Sequence, residues 1–358
     1  MRASLSIACC VLAGWAWPAQ ADTASPRLAK YKEPVDRCIE KALARLAKLQ
    51  VTAANRWKNP ALAGSFGFRL IGSTGVTSLS VMAFLSKGYT PGSGPYGEAI
   101  NKGIDYILTT QQKDGLLASA ARYGRSHGPM YSHCIATLML SEVSGMVTPE
   151  RQKKIDEVLP RALAVIVAAQ QVKKHPKYQG GWRYRPNSRD SDISLTGWAL
   201  MALRSARLNG APIPAKLIAQ AGEFILRCRR NDGGFGYMPG SGSGVARAGV
   251  ALLCLELTGH HGKDYTLKAG DYLLKPIKQG KFIRDPHPFY AAYYASQGMF
   301  QLGGDYWELF AEAMYKDMMK KQRADGSWSG GKGGVAYSTA MSVLALTVSY
   351  RQLPIYQR

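Results

Sequence analysis

The chain has 358 residues, and its 46 Lys and Arg exceed its 24 Asp and Glu by 22. This charge predicts attraction to anionic surfaces, such as a membrane or another part of the cell envelope. The basic residues are scattered over many segments and form no single stripe, which argues against nucleic acid as a partner.

The first 21 residues have the features of a secretory signal peptide. Arg2 precedes an apolar stretch at 5–17, which is too short to span a membrane, and a small-x-small cleavage site follows at 19–21. Cys9 and Cys10 raise the alternative of a lipid anchor, but cleavage after residue 21 would remove both. We therefore expect an exported protein, periplasmic or secreted.

A unit of roughly fifty residues then recurs along the chain. It consists of a charged helix that ends in Gln, a turn with glycine and an aromatic or other large apolar residue, and a helix almost free of charge. Copies of the turn lie at 111–117, 170–184, 231–237 and 322–328, and the third copy has Arg229-Arg230 where Gln would stand. A repeat of this length predicts one helical hairpin stacked many times.

The helices of the unit are of two kinds. The charged ones are amphipathic and must have one side in water, whereas a helix that is apolar all round must be buried on every side. We place the outer helices near 34–50, 96–112, 149–171, 214–230, 264–278 and 305–322, and the inner ones near 74–87, 130–144, 193–208, 245–258, 289–302 and 336–350.

Six outer and six inner helices in alternation bury the apolar set most simply by closing into a ring. The predicted fold is therefore all-α, an (α/α)6 toroid of six helical hairpins, with no strand-like alternation long enough for a sheet. Because no Pro-rich or Ser-rich linker interrupts it, we expect 22–358 to form a single domain.

The mature cysteines are far apart and form no Cys-x-x-Cys pair, so we expect small buried core residues. They are Cys38, Cys134, Cys228 and Cys254.

The turns resemble those of a known family. The pattern Gln322-x-x-x-Gly326-x-Trp328 is similar to the "QW" repeat of squalene-hopene and other terpene cyclases, and 181–182 and 232–236 look like turns shared with the β subunits of protein prenyltransferases. The resemblance implies the toroid fold directly and activity more weakly, since one fold hosts many functions.

Resemblance to the cyclases also implies an Asp-x-Asp-Asp motif whose middle carboxyl protonates an alkene. The nearest match is 190–193, where Asp190 and Asp192 are present and Ile193 replaces the last Asp. Asp192 then stands at the position of the proton-donating carboxyl in that motif. The prenyltransferases would require an Asp, Cys and His that hold zinc, but no such set can be assembled here, and we predict neither a metal nor another cofactor.

In such a ring the N-terminal ends of the inner helices meet at one mouth. The catalytic candidates there are Asp192, Asp190 and His133, although Asp192 also fits a helix N-cap and histidines at helix ends are often merely hydrogen-bonded. The ligand-binding candidates are Trp182, Arg247, His287, Tyr290, Tyr293, Tyr294 and Tyr337. Arg247 needs an anionic partner, for which we choose Asp192, and the tyrosines could steady a carbocation or simply pack in the core.

Three functions remain open. The first is an exported toroid that binds an apolar or isoprenoid-like small molecule in a central cavity, with acid-initiated cyclisation or isomerisation through Asp192. The second is a non-catalytic binding or scaffold module on the same fold. The third is a polysaccharide lyase or glycosidase, whose chemistry would need two carboxylates across a cleft, or a base and a neutralising group.

Overall fold

The computed structural model describes residues 25–51, 62–68, 71–118, 128–330 and 333–356. These residues form thirteen α-helices and one short β-ribbon, and the predicted signal peptide lies outside them. The helices are α1 (Pro26–Ala29), α2 (Lys32–Lys48), α3 (Thr74–Ser86), α4 (Gly97–Thr109), α5 (Met130–Val143), α6 (Pro149–Gln171), α7 (Ile193–Leu208), α8 (Ala215–Arg227), α9 (Val245–Leu257), α10 (Asp264–Lys278), α11 (Pro288–Leu302), α12 (Gly304–Lys321) and α13 (Gly334–Leu346). The ribbon pairs β1 (Gly67–Phe68) with β2 (Ile71–Gly72).

The helices close into a ring. The inner helices α3, α5, α7, α9, α11 and α13 each contact the next one, and α13 returns to contact α3. Each outer helix packs on the inner helix that precedes it in the ring, with α2 resting on α13. The predicted (α/α)6 toroid is confirmed, and all six outer and six inner helices lie within a few residues of their predicted positions.

The repeated glutamines join neighbouring hairpins. Gln322 Nε2 donates to the Gly326 carbonyl of its own turn (2.9 Å) and to the Cys38 carbonyl of α2 (2.8 Å), which links the last outer helix to the first. Gln170 Nε2 does the same with Gly180 (2.8 Å) and Leu217 (2.9 Å). One side-chain amide thus joins a carbonyl of its own turn to a carbonyl of the neighbouring outer helix at the seam between repeats.

The glutamine-bridged turn that follows α2 was not recognised from the sequence. Gln50 Nε2 donates to the carbonyls of Gly64 (2.9 Å) and Ala99 (2.8 Å), and Phe66 takes the place of the tryptophan. The long spacing between Gln50 and Gly64 and the absence of Trp conceal the pattern.

The C-terminal segment fills the end of the ring at which the inner helices finish. Ile355 and Tyr356 are buried, and the Tyr356 hydroxyl is hydrogen-bonded to that of Tyr293 on α11. The Ile355 N–H donates to Glu142 Oε2 on α5 (3.3 Å). The helix that was predicted to end at 350 ends at Leu346, because the chain after it turns back and packs into the ring.

Glu142 makes stability depend on pH. Its carboxyl accepts from the Ser205 hydroxyl as well as from Ile355, and burial raises its pKa from 4.5 to about 7. The folded state therefore holds the proton more tightly than the unfolded state, so the free energy of unfolding should fall as pH rises from about 4.5 to about 7. Glu142→Gln reproduces the protonated hydrogen-bond pattern and should flatten thermal melts across this range; a variant with the wild-type slope would contradict the assignment.

The four cysteines of the described residues, Cys38, Cys134, Cys228 and Cys254, are buried and free, as expected for core residues. Among the described helices, none is long and apolar enough to cross a membrane. In the same part of the chain, no group of three or more His, Cys, Asp and Glu could hold a metal ion.

Candidate functional site at the mouth of the inner ring

The six inner helices begin at one end of the ring, where the glycine turns also lie. Asp192 is the acidic residue among their N-caps, which are Ser73, Pro129, Asp192, Gly244, His287 and Gly333. Among the N-cap side chains of the inner helices, the carboxylate therefore lies at the start of α7.

Asp192 is fully buried and uses its two carboxyl oxygens differently. Oδ1 accepts from the Leu195 N–H (2.9 Å), as an N-cap does, whereas Oδ2 accepts no hydrogen bond of normal length from the described residues. Burial raises the pKa of Asp192 to about 6, although the Leu195 N–H, Arg183 and Tyr237 each favour the ionised form. With this pKa about half of the Asp192 carboxyl is protonated near pH 6 and roughly a tenth at pH 7, since one pH unit changes the ratio tenfold.

The cation beside Asp192 is Arg183. Arg183 Nη1 lies 3.6 Å from Asp192 Oδ2, and Nε lies 3.5 Å from Asp190 Oδ2, so one guanidinium serves both acids. It lies over the rings of Tyr184 (4.4 Å) and Tyr237 (5.3 Å), whose hydroxyls are hydrogen-bonded to each other. The predicted pairing of Asp192 with Arg247 is therefore wrong.

Arg247 is instead bound to its own helix end. Its Nη2 donates to the Ser243 carbonyl (2.7 Å), and the guanidinium lies against Gly244. This contact at the N-terminus of α9 explains the error, because the sequence could not show that the side chain folds back by one turn.

Tyrosines surround the Asp192 carboxyl. Tyr131 on α5, Tyr237 and Tyr290 on α11 are each close enough for the Asp192 charge to raise their pKa further, beyond the larger effect of burial. Tyr131, Tyr290 and Tyr337 are partly accessible although they stand on inner helices.

The aromatic group continues inward from Tyr290. Its ring lies 4.7 Å from that of Tyr294, which meets Trp198 edge to face at 5.3 Å, and Tyr293 stacks on Trp198 at 5.6 Å. The hydroxyls of Tyr290 and Tyr294 are both buried; that of Tyr290 interacts with Ser194, whereas that of Tyr294 finds no hydrogen-bond partner among the described residues. The Tyr293 hydroxyl, by contrast, is hydrogen-bonded to the Tyr356 hydroxyl.

His133 is held by backbone groups on both sides. Nδ1 accepts from the Leu117 N–H (2.9 Å), so Nε2 carries the proton and donates to the Ala162 carbonyl (3.1 Å). Burial lowers the pKa of His133 to about 4. In the corresponding turns, Thr196 Oγ1 accepts from the N–H of Trp182 and Thr339 Oγ1 from that of Trp328, so His133 occupies a repeated structural position.

Trp182 is a buried residue of the turn and His287 is exposed, so neither belongs to the group of side chains around the Asp192 carboxyl. Trp182 is 1% exposed and its indole N–H donates to the Ile166 carbonyl (2.7 Å), as that of Trp328 donates to Met318 (2.9 Å). His287 is exposed at the start of α11. The structure thus brings Asp192, Asp190, Tyr290 and Tyr294 together, and it adds Arg183, Tyr237 and Tyr131, which sequence reasoning missed.

The family model of the prenyltransferase alpha-alpha toroid domain matches residues 76–189, 161–280 and 190–352. The chain belongs to this family. No curated protein matches the toroid's sequence.

Solved structures of several activities share the toroid. Type II terpene cyclase MstE from Scytonema is 14% identical, with 90% of this chain and 100% of that chain covered and a TM-score of 0.56. A structure of an MstE variant contains geranylgeranyl dihydroxybenzoate as substrate. The GH76 α-mannanase of Bacteroides thetaiotaomicron is 10% identical, with 91% and 98% covered and a TM-score of 0.59. At these identities the likeness shows the fold alone.

Proposed function

We propose that this toroid is an acid catalyst that protonates a carbon–carbon double bond of an isoprenoid-like substrate and so starts cyclisation or isomerisation. The observation that carries the proposal is the buried Asp192 carboxyl, whose Oδ2 accepts no hydrogen bond of normal length from the described residues and lies 3.6 Å from Arg183 Nη1, and whose pKa burial raises to about 6. The position of Asp192 in the Asp-x-Asp motif and the isoprenoid substrate of MstE support the same chemistry.

The proposed step moves one proton. The O–H bond of protonated Asp192 breaks, a C–H bond forms at the alkene, and the adjacent carbon becomes a carbocation. Arg183 stabilises the carboxylate that remains, and the faces of Tyr290 and Tyr294 attract the cation. A second double bond then attacks the cation, which forms a ring and moves the charge to another carbon, or no ring forms. In either case a neighbouring C–H bond breaks, its proton passes to solvent and its electron pair forms the product's double bond, and solvent returns a proton to Asp192.

The chain departs from the cyclase motif at Ile193. A protonated carboxyl at this position could strengthen the acid by donating a hydrogen bond to its ionised form, and here Arg183 favours the ionised form instead. In this proposal Asp190 holds the other side of the guanidinium, so that Arg183 is fixed between two acids.

Turnover in D2O tests the proposal. The mature chain would be incubated with polyprenyl alcohols and acids of different lengths, and the products would be analysed by mass spectrometry. We expect a product isomeric with its substrate that carries one deuterium on carbon, because the proton on Asp192 exchanges with solvent before transfer. A product without carbon-bound deuterium would exclude protonation as the first step.

A non-catalytic binding module is the second candidate. Ser73 caps α3 through its side chain just as Asp192 caps α7, so an acid is not required for the cap itself. This candidate predicts that an isoprenoid-like ligand co-purifies with the chain and is released unchanged. We further propose that the protein is exported, on the basis of the features of residues 1–21.

A further inference from the structure

The end of the ring that carries Asp192 is rich in exposed cations. The described parts of the connections from an outer to the next inner helix lie at this end, and the one between α6 and α7 alone contains six Lys and Arg between 173 and 189. We call the following exposed residues the basic rim: Lys173, Lys177, Arg185, Arg189, Arg230 and Arg284.

The acids of this end do not neutralise the basic rim. Asp190 and Asp192 pair with Arg183. The others accept backbone N–H groups two residues ahead in their own turns, namely Asp114 from Leu116, Asp232 from Gly234, Asp285 from His287 and Asp325 from Ser327. Within the described part of the chain, no rim residue has an acidic partner within ion-pair distance.

The other end of the ring is different. The described connections from an inner to the next outer helix, together with the segment after α13, contain three Lys and Arg. Lys87 is paired with Asp36, and Arg351 lies 5.0 Å from the centre of the Phe300 ring. Lys263 is the third. The connections at the Asp192 end therefore carry more unpaired cations than those at the other end, where Lys153, Lys154 and Lys216 stand on the helix starts instead.

We propose that the basic rim binds the surface of an anionic lipid bilayer. Its cations are exposed and spread over three connections, so they do not converge on one point as a site for a single phosphate would. A spread of mobile Lys and Arg side chains matches a surface with many anionic headgroups. Docking in this orientation would place the mouth of the ring against the bilayer, so that a membrane-borne isoprenoid could enter it directly.

In this proposal the rim binds the bilayer through its charge and does not insert apolar side chains into it. The large apolar side chains that are exposed in the described residues are Met146, Leu208 and Leu267, and none belongs to the rim. The affinity should therefore fall steeply with salt, because screening weakens exposed charges beyond about 10 Å at 0.1 M.

Vesicle sedimentation tests the proposal. The mature chain would be mixed with vesicles of phosphatidylcholine alone, or with one third phosphatidylglycerol, at low and at 0.5 M salt. The rim variant carries Lys173→Gln, Lys177→Gln, Arg185→Gln and Arg189→Gln. The matched control removes the same charge at the other end of the ring through Lys153→Gln, Lys154→Gln, Lys216→Gln and Lys263→Gln.

We expect salt-sensitive binding to the anionic vesicles only, weakened about fivefold per rim cation, and so by two orders of magnitude or more in the rim variant. The control should lose far less. Equal losses in the two variants, or binding that survives in the rim variant, would overturn the proposal. So would rim-dependent binding of a soluble acidic polysaccharide without any binding of vesicles. Because the assay needs no turnover, its outcome is separate from that of the catalytic proposal.

Discussion

Asp192→Asn is expected to lower isoprenoid turnover by roughly 100- to 10,000-fold, the usual contribution of a positioned acid. The amide can no longer supply a proton. Asn caps a helix about as well as Asp, so the Leu195 hydrogen bond and the thermal melt should change little. Turnover and melting temperature measured on the same preparation separate the two roles of the side chain.

Asp192→Ser provides the matched control for the cap. Ser73 caps α3 in the same way, so this variant should stay folded while it remains as inactive as the Asn form. In the unmutated chain, turnover should decline as pH rises through about 6, because only the protonated carboxyl is an acid. Normal turnover by the Asn variant would mean that Asp192 serves only as a helix cap, and it would contradict the catalytic proposal.

The ring could be predicted because its signals are local and repeated. Helices without charge on any face, such as α3 and α13, must be buried, and alternation with amphipathic helices leaves few ways to bury six of them. The C-terminal segment could not be predicted in the same way. Its burial depends on contacts between Tyr356 and Tyr293 and between Ile355 and Glu142, which are distant in sequence and belong to no repeat.

The site was predictable where it coincides with a helix end. Asp192 could be found because an N-cap and a motif position fall on the same residue. Arg183 was missed because it stands beyond a turn, and only the antiparallel pairing of Trp182 with Asp192 brings it back to the carboxyl. His133 could have been recognised as a counterpart of Thr196, but it follows its turn residue by 16 positions whereas Thr196 follows by 14.

The turn glycines should be the most sensitive positions for stability. Gly180 has φ +83°, and a Cβ added there would overlap the Gln220 carbonyl oxygen of α8. Gly210 has nearly the same backbone, with φ +89°, but nothing lies within 4 Å of its added Cβ. Gly210→Ala therefore measures the cost of the left-handed backbone alone, about 1 to 2 kcal/mol.

Gly180→Ala should cost that amount and more, in total at least about 3 kcal/mol, because α8 must move away from the turn. The movement would also pull apart the carbonyls of Gly180 and Leu217 that Gln170 joins, so the damage reaches the seam between two hairpins. Urea unfolding of the two variants and the unmutated chain measures the difference. Equal losses would mean that backbone conformation alone, and not the close approach of neighbouring repeats, fixes glycine in these turns.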